Sequence, residues 1–120
     1  CSSLQSISMP FVGATLGGEE NTHIGYVFGS STYSNNNHYV PKSLKRVVIT
    51  GDGAIGNYAF YECSLIESIE IDGNVIGIGD YTFARCYALT EILIPNSVKY
   101  IGVGAFYICK GIESLVASYY

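Results

Sequence analysis

The chain has 120 residues, of which 48% are hydrophobic and only 13% are charged. This length suits one domain or a short run of repeats, and the low charge excludes disorder caused by charge repulsion. The net charge is −4, and the six Lys and Arg residues form no basic stripe of the kind that nucleic-acid binding requires. No run approaches the roughly 18 apolar residues of a membrane-spanning helix, so we predict no membrane insertion by this chain.

A short unit recurs along the chain. Cys63, Cys86 and Cys109 follow one another at intervals of 23 residues, and a phenylalanine lies three residues before each of them. An Ile-Gly pair precedes each phenylalanine, and apolar residues follow each cysteine at the third, sixth and eighth positions. The resulting pattern L-x-x-I-x-I occurs in five copies, led by Leu4, Leu44, Ile66, Leu89 and Ile112. Such regular spacing indicates a repeat architecture.

The first unit, residues 1–43, is predicted to be an enlarged repeat with loop insertions. Residues 24–28 resemble a shortened version of residues 55–60, and the runs 12–23 and 29–41 enlarge the two turns. The second run is rich in Gly, Ser, Thr and Asn, a composition typical of loops. We therefore expect His38 in this run and His23 in the first run to be exposed to solvent.

Three regular repeats follow the enlarged one, and a partial repeat ends the chain; their bounds are 44–65, 66–88, 89–111 and 112–120. Each begins with an alternating segment such as Ile92-Leu93-Ile94, which predicts a short strand with one buried face. A single strand cannot bury that face alone, so the copies are expected to stack into a solenoid with a parallel sheet. We predict one strand per repeat, returns made of 3₁₀, helical or loop segments, and an inner ladder of phenylalanines.

Residues 89–109 read Leu-x-x-Ile-x-Ile-Pro-x-Ser-Val-x-x-Ile-Gly-x-x-Ala-Phe-x-x-Cys. At every fixed position this resembles the BspA-like (treponemal-type) leucine-rich repeat of bacterial surface proteins. The preceding repeat departs from the pattern mainly at turn positions, and it has Thr82 in place of Ala. The resemblance implies an α/β-type leucine-rich-repeat solenoid from a secreted or cell-surface protein. Because Cys1 lies inside a repeat, we expect the chain to be a fragment of a longer protein.

The cysteines allow more than one interpretation. The chain has no C-x-x-C pair, so a metal site is not predicted. A ladder of equivalent cysteines would come near disulfide distance, and the export implied by the resemblance permits oxidation. Side chains that point in parallel from a ladder are, however, typical of buried free thiols, which we favour.

Candidate ligand contacts lie at the outward positions of the predicted strands and in the second insertion. The strand positions change from basic to acidic along the sheet, and they are Lys45, Arg46, Glu67, Glu70, Glu91, Leu93 and Glu113. These residues either pair their charges across the strands of a solvated sheet or form a polar contact surface. In the insertion, Tyr33 and Tyr39 lie among asparagines, a composition found in adaptable recognition loops.

These patterns predict a non-enzymatic binding module that acts in adhesion or in recognition of a host protein or glycan. The expected partner is an extracellular-matrix protein, another surface protein or a glycan, and we predict no catalytic residue, metal site or cofactor. The alternative is a structural spacer that displays another domain. A spacer should have interchangeable repeats, whereas the enlarged repeat and the change of charge along the sheet favour a binder.

Overall fold

The computed structural model describes residues 3–12, 22–111 and 114–117. Within these ranges the chain forms short parallel strands that are joined by turns and a few short helices. In chain order the strands are β1 (Ser6–Met9), β2 (Arg46–Ile49), β3 (Gly53–Ile55), β4 (Ser68–Ile71), β5 (Val75–Ile78), β6 (Glu91–Ile94), β7 (Tyr100–Ile101) and β8 (Ser114–Ala117). The short helices all lie in the enlarged repeat.

The larger sheet contains five parallel strands in the order β1-β2-β4-β6-β8. Equivalent residues of successive repeats are direct neighbours in it, since Val47 pairs with Ile69 and Ile69 pairs with Ile92. All three side chains are buried, while Glu70 and Leu93 on the opposite face are exposed. The predicted parallel stacking and the predicted inward register of these strands are therefore confirmed.

A second, three-stranded parallel sheet has the order β3-β5-β7. The prediction of a single strand per repeat is thus wrong for the repeats that contribute these strands. Apolar residues drive the pairing, because Ile78 lies between Ile55 and Ile101 in register and is completely buried. At Gly77 the ring of Tyr100 lies over the backbone of the neighbouring strand, so a larger side chain here would displace this ring.

One hydrophobic cluster contains the inward residues of both sheets and a phenylalanine ladder. The ring of Phe83 stacks between those of Phe60 and Phe106, with centroid separations of 5.6 and 5.4 Å. Phe60 and Phe83 are fully buried, whereas Phe106 is half-buried. The ladder predicted from the 23-residue spacing is confirmed.

The segments that carry the phenylalanines are successions of turns. Their backbone bonds run between repeats: the N–H groups of Tyr58, Phe60 and Glu62 donate to residues 80, 82 and 84 of the next repeat, at 2.8–3.0 Å. Non-glycine residues adopt left-handed conformations at recurring positions, for example Tyr58 at φ 59° and its equivalent Tyr81 at φ 53°. These left-handed residues allow each compact turn to direct its backbone N–H groups toward the neighbouring repeat.

The enlarged repeat is more ordered than its loop composition predicts. Residues Ile24–Phe28 and Tyr33–Asn35 form 3₁₀ helices, and Asn36–Tyr39 form one turn of α-helix. The N–H of Ile24 donates to the carbonyl of Ala59 at 2.7 Å, the kind of bond that Phe60 makes one repeat later. Ile24 therefore takes the place of a ladder phenylalanine, and its predicted equivalence with Ile55 is wrong.

The two histidines of this repeat have different environments. His38 is exposed as expected, but His23 is only 4% exposed, and its Nε2 lies 3.0 Å from the carbonyl oxygen of Ser30. The prediction that His23 is solvated is therefore wrong, because the ring is packed inside the enlarged repeat. Most of the first insertion, residues 13–21, lies outside the described residues.

Candidate binding surface

The outward face of the five-stranded sheet is a regular surface that runs across all five strands. No described helix or strand packs over it, and its outward side chains include the exposed Ser8, Glu70 and Leu93. Parallel sheets are normally covered on both faces. An open parallel face that exposes 47% of a leucine is therefore a candidate contact surface.

Most of the strand residues predicted as ligand contacts come together on this face. Lys45 and Glu67 directly precede β2 and β4, while Arg46, Glu70 and Leu93 project from the strands. A shallow hollow of about 360 Å³ lies beside Glu70 and Leu93, and it is lined by Glu67, Ser68, Ile69, Glu70, Thr90 and Leu93. The backbone of Glu91 lies in β6 opposite Ser68, and Glu113 lies outside the described residues.

The charges on this face are partly paired. Arg46 Nη2 lies 3.3 Å from Glu70 Oε2, across the β2–β4 pair, and about half of each side chain is exposed. Cross-strand charge pairing, one of the two interpretations of the pattern, is confirmed for these two residues. An exposed ion pair contributes at most about 1 kcal/mol, so a partner could replace it at small cost.

The structure separates the two insertion tyrosines from the sheet residues. Tyr33 stacks on Tyr58 of the following return segment, with ring centroids 3.9 Å apart. Tyr39 meets His38 edge-on at a centroid distance of 5.2 Å. The predicted contact residues thus belong to two surfaces, the open sheet face and the enlarged repeat.

The sequence prediction missed a row of tyrosines on the return segments. Tyr58 stacks on Tyr81 at 5.5 Å, and the rings of Tyr61 and Tyr107 meet this row edge-on. Burial raises the pKa of Tyr58 and of Tyr61, and the neighbouring Tyr33 adds to the effect on Tyr58. The 23-residue interval between Tyr58 and Tyr81 was the signal that could have revealed the row.

The cysteines of the regular repeats are free thiols, as predicted. Cys86 Sγ donates to the carbonyl of Phe60 at 3.1 Å, and Cys109 Sγ donates to that of Phe83 at 2.8 Å. Burial raises the pKa of all three thiols, so little reactive thiolate forms at neutral pH. Their position points to a packing role, and Cys1 lies outside the described residues.

The described part of the chain offers neither a cluster of metal ligands nor a membrane-spanning helix. No three His, Cys, Asp or Glu side chains within it are placed to hold a metal ion together. It also contains no helix with the length and apolar character needed to cross a membrane.

Parallel strands that stack repeat on repeat, with a phenylalanine ladder inside, define an α/β-type leucine-rich-repeat protein. The family described as "BspA type Leucine rich repeat region (6 copies)" matches residues 26–119, and the chain belongs to this family. Such repeats are typical of bacterial surface proteins and generally serve as non-enzymatic protein-interaction modules. No curated protein and no solved structure matches the chain.

Proposed function

We propose that this chain is a non-enzymatic adhesion module of a secreted or cell-surface bacterial protein. It binds an extracellular-matrix protein or another surface protein of the host through the outward face of the five-stranded sheet. The observation that carries this proposal is the open parallel face itself, with Leu93 exposed beside Glu67 and Glu70.

The composition of this face suits a protein partner. Val48 and Leu93 supply apolar area, while Arg46, Glu67 and Glu70 surround them with charge. Protein interfaces combine an apolar centre with a polar rim in the same way. The charged residues increase the rate of encounter and select the partner, and the apolar residues supply the buried area.

The variation between repeats supports a binder over a spacer. One outward row of the sheet contains Ser8, Val48, Glu70 and Leu93 as direct neighbours. A spacer would have interchangeable repeats, whereas these four residues differ in size, polarity and charge. The row therefore forms a distinctive surface.

A binding assay with two charge-matched variants tests the proposal. The chain is titrated against immobilised laminin, fibronectin and collagen, together with the variants K45E/R46E and K99E/K110E. Both variants change the net charge equally, but Lys99 and Lys110 lie outside the sheet face. We expect saturable binding to at least one protein, weakened about ten-fold or more in K45E/R46E only. Equal binding by both variants, or no binding to any of the proteins, would contradict the proposal.

A further inference from the structure

A second hollow, of about 300 Å³, lies on the enlarged repeat and is separate from the sheet face. Its walls include Thr22, Ser31, Thr32, Tyr33, Asn57 and Tyr58. Small-ligand sites have volumes of roughly 300–1,000 Å³, so this hollow suits a small ligand or one unit of a larger ligand. It combines residues of the insertion with residues of the first regular return segment.

The aromatic wall of the hollow is held in place before any ligand arrives. Tyr58 is clamped between Tyr33 and Tyr81, at interplanar angles of 20° and 10°. Tyr61 meets both Tyr33 and Tyr58 edge-on, at centroid distances of 5.3 and 5.4 Å. Rings fixed in this way lose little conformational entropy when a ligand packs on them.

The polar wall is also oriented. The Asn57 Oδ1 atom accepts a hydrogen bond from the Asp80 N–H at 2.7 Å, which fixes the direction of the side-chain amide. The Asn57 Nδ2 group is then left as a donor on an exposed side chain. Thr22 Oγ1 donates to the carbonyl of Asn57 at 2.9 Å, so this hydroxyl retains its capacity to accept.

The chemistry of the walls selects one class of ligand. The lining contains aromatic rings, hydroxyl groups, an amide and the buried imidazole of His23, and none of the described residues that line it is Asp, Glu, Lys or Arg. A saccharide has C–H groups on the faces of its ring and hydroxyl groups around the rim. The electron-rich outer face of the Tyr33 ring attracts the C–H groups, and Asn57 and Thr22 can exchange hydrogen bonds with the hydroxyl groups. An ionised ligand would find no carboxylate, ammonium or guanidinium partner among the described lining residues.

We propose that the tyrosine-walled hollow binds a neutral saccharide. Tyr33 packs the face of its ring that is turned away from Tyr58 against the sugar ring, and Tyr58 supports Tyr33 from behind. Asn57 Nδ2 donates to one of the hydroxyl groups of the sugar. This site is distinct from the protein-binding face of the sheet, so one module can engage the protein and the glycan of a glycosylated surface.

Nuclear magnetic resonance titration tests this proposal. D-galactose, N-acetyl-D-glucosamine and lactose are added separately to the chain, and the ring protons of Tyr33 and Tyr58 are followed. N-acetylneuraminic acid serves as the acidic comparison. We expect saturable shifts with at least one neutral sugar, at a dissociation constant on the order of millimolar, and weaker binding of the acid.

Variants of the lining residues test whether a sugar binds in this hollow or elsewhere on the chain. Y33A removes part of the ring wall and is expected to weaken binding about ten-fold. N57D removes the amide donor and should weaken binding about five- to ten-fold, yet it keeps the structural bond. The chain itself provides the precedent, because Asp80 Oδ1 accepts from the Val103 N–H at 2.9 Å one repeat later.

Two further variants serve as controls. Y87A alters an exposed tyrosine outside the hollow and should leave sugar binding unchanged. K45E/R46E should also leave it unchanged, which keeps this result independent of protein binding by the sheet. The proposal is overturned if no neutral sugar gives saturable shifts, if the acid binds as tightly as the neutral sugars, or if Y33A and N57D bind like the parent chain.

Discussion

Asn36 connects the enlarged repeat to the regular one that follows. Its side chain is fully buried, and Oδ1 accepts a hydrogen bond from the Gly25 N–H at 2.7 Å. On the other side, Nδ2 lies 3.2 Å from the carbonyl oxygen of Tyr61 and 3.4 Å from that of Tyr58. The Asn36 side-chain amide thus forms hydrogen bonds with backbone groups of two successive units. Loss of this amide would leave those backbone groups without a partner.

We predict that Asn36→Ala lowers the free energy of unfolding by about 2–4 kcal/mol, because buried polar groups lose their partners. Asn35→Ala is the matched control, since Asn35 is exposed and its side chain makes no capping bond. Urea titration followed by circular dichroism measures both variants. Equal stability of the two variants would show that the Asn36 amide does not hold the units together.

Ile108 occupies an unfavourable backbone conformation. Its φ is 53°, in the left-handed region, where a β-branched side chain costs roughly 1–2 kcal/mol. Asparagine tolerates this conformation. We predict that Ile108→Asn raises the free energy of unfolding by about 1 kcal/mol, whereas Ile101→Asn in β7 lowers it. Thermal unfolding compares the two, and destabilisation by both would contradict the strain argument.

At the scale of the element, each strand of the large sheet separates a buried face from an exposed one. Ile92 is 1% exposed and its neighbour Leu93 is 47% exposed, so adjacent positions of β6 have opposite surroundings. A shift of the register by one residue would exchange them. Substitutions at these two positions therefore test the register directly.

We predict that Ile92→Ala lowers the free energy of unfolding by about 2–5 kcal/mol, as buried isoleucine-to-alanine changes do. Leu93→Ala should change it by less than about 1 kcal/mol, because the leucine is already half in water. Both values come from urea titration of the two variants. A larger loss for Leu93→Ala than for Ile92→Ala would reverse the assigned faces.

The thiol ladder makes stability depend on pH in the alkaline range. Burial raises the pKa of Cys63 well above its ordinary value of 9.0, so the folded thiol keeps its proton where the unfolded one loses it. Below about pH 8 both states are protonated, and Cys63 adds no pH dependence. As the pH rises further, only the unfolded chain releases the proton, and the folded state loses stability.

We predict that the free energy of unfolding falls between about pH 8 and pH 10, and that Cys63→Ala reduces this fall by about 1–2 kcal/mol. The comparison is made by urea titration under reducing conditions. The cavity left by alanine lowers the free energy of unfolding by the same amount at every pH. It therefore does not change the pH dependence that is compared. An equal fall in the parent chain and the variant would refute the role of Cys63.

At the scale of the whole molecule, the interval between repeats made the stacking predictable. Strand positions, their parallel register and the Phe60-Phe83-Phe106 ladder followed from residues that recur every 23 positions. The second sheet did not follow, since β7 has only two residues and β3 only three, too few to show an alternating pattern. The burial of Asn36 and His23 in the enlarged repeat was likewise not predictable, because neither residue belongs to a recurring pattern.

The sequence predicted the residues of the sheet face but not the contacts of the insertion tyrosines. The alternation within β2, β4 and β6 placed Arg46, Glu70 and Leu93 on one face, as the structure confirms. Sequence spacing could not show that Tyr33 stacks on Tyr58, because this contact joins an irregular insertion to a regular repeat. The sequence alone therefore did not predict the tyrosine-walled hollow.

The central claim, that a protein partner binds the open sheet face, is tested most directly by methyl nuclear magnetic resonance on the unaltered chain. The chain is labelled at Ile, Leu and Val methyl groups and titrated with soluble laminin, fibronectin and collagen fragments. We predict that the methyl signals of Leu93 and Val48 shift or broaden first, while those of Val27, Ile76 and Val103, which are exposed elsewhere, stay unchanged. Changes confined to the latter three, or no change with any fragment, would contradict the account.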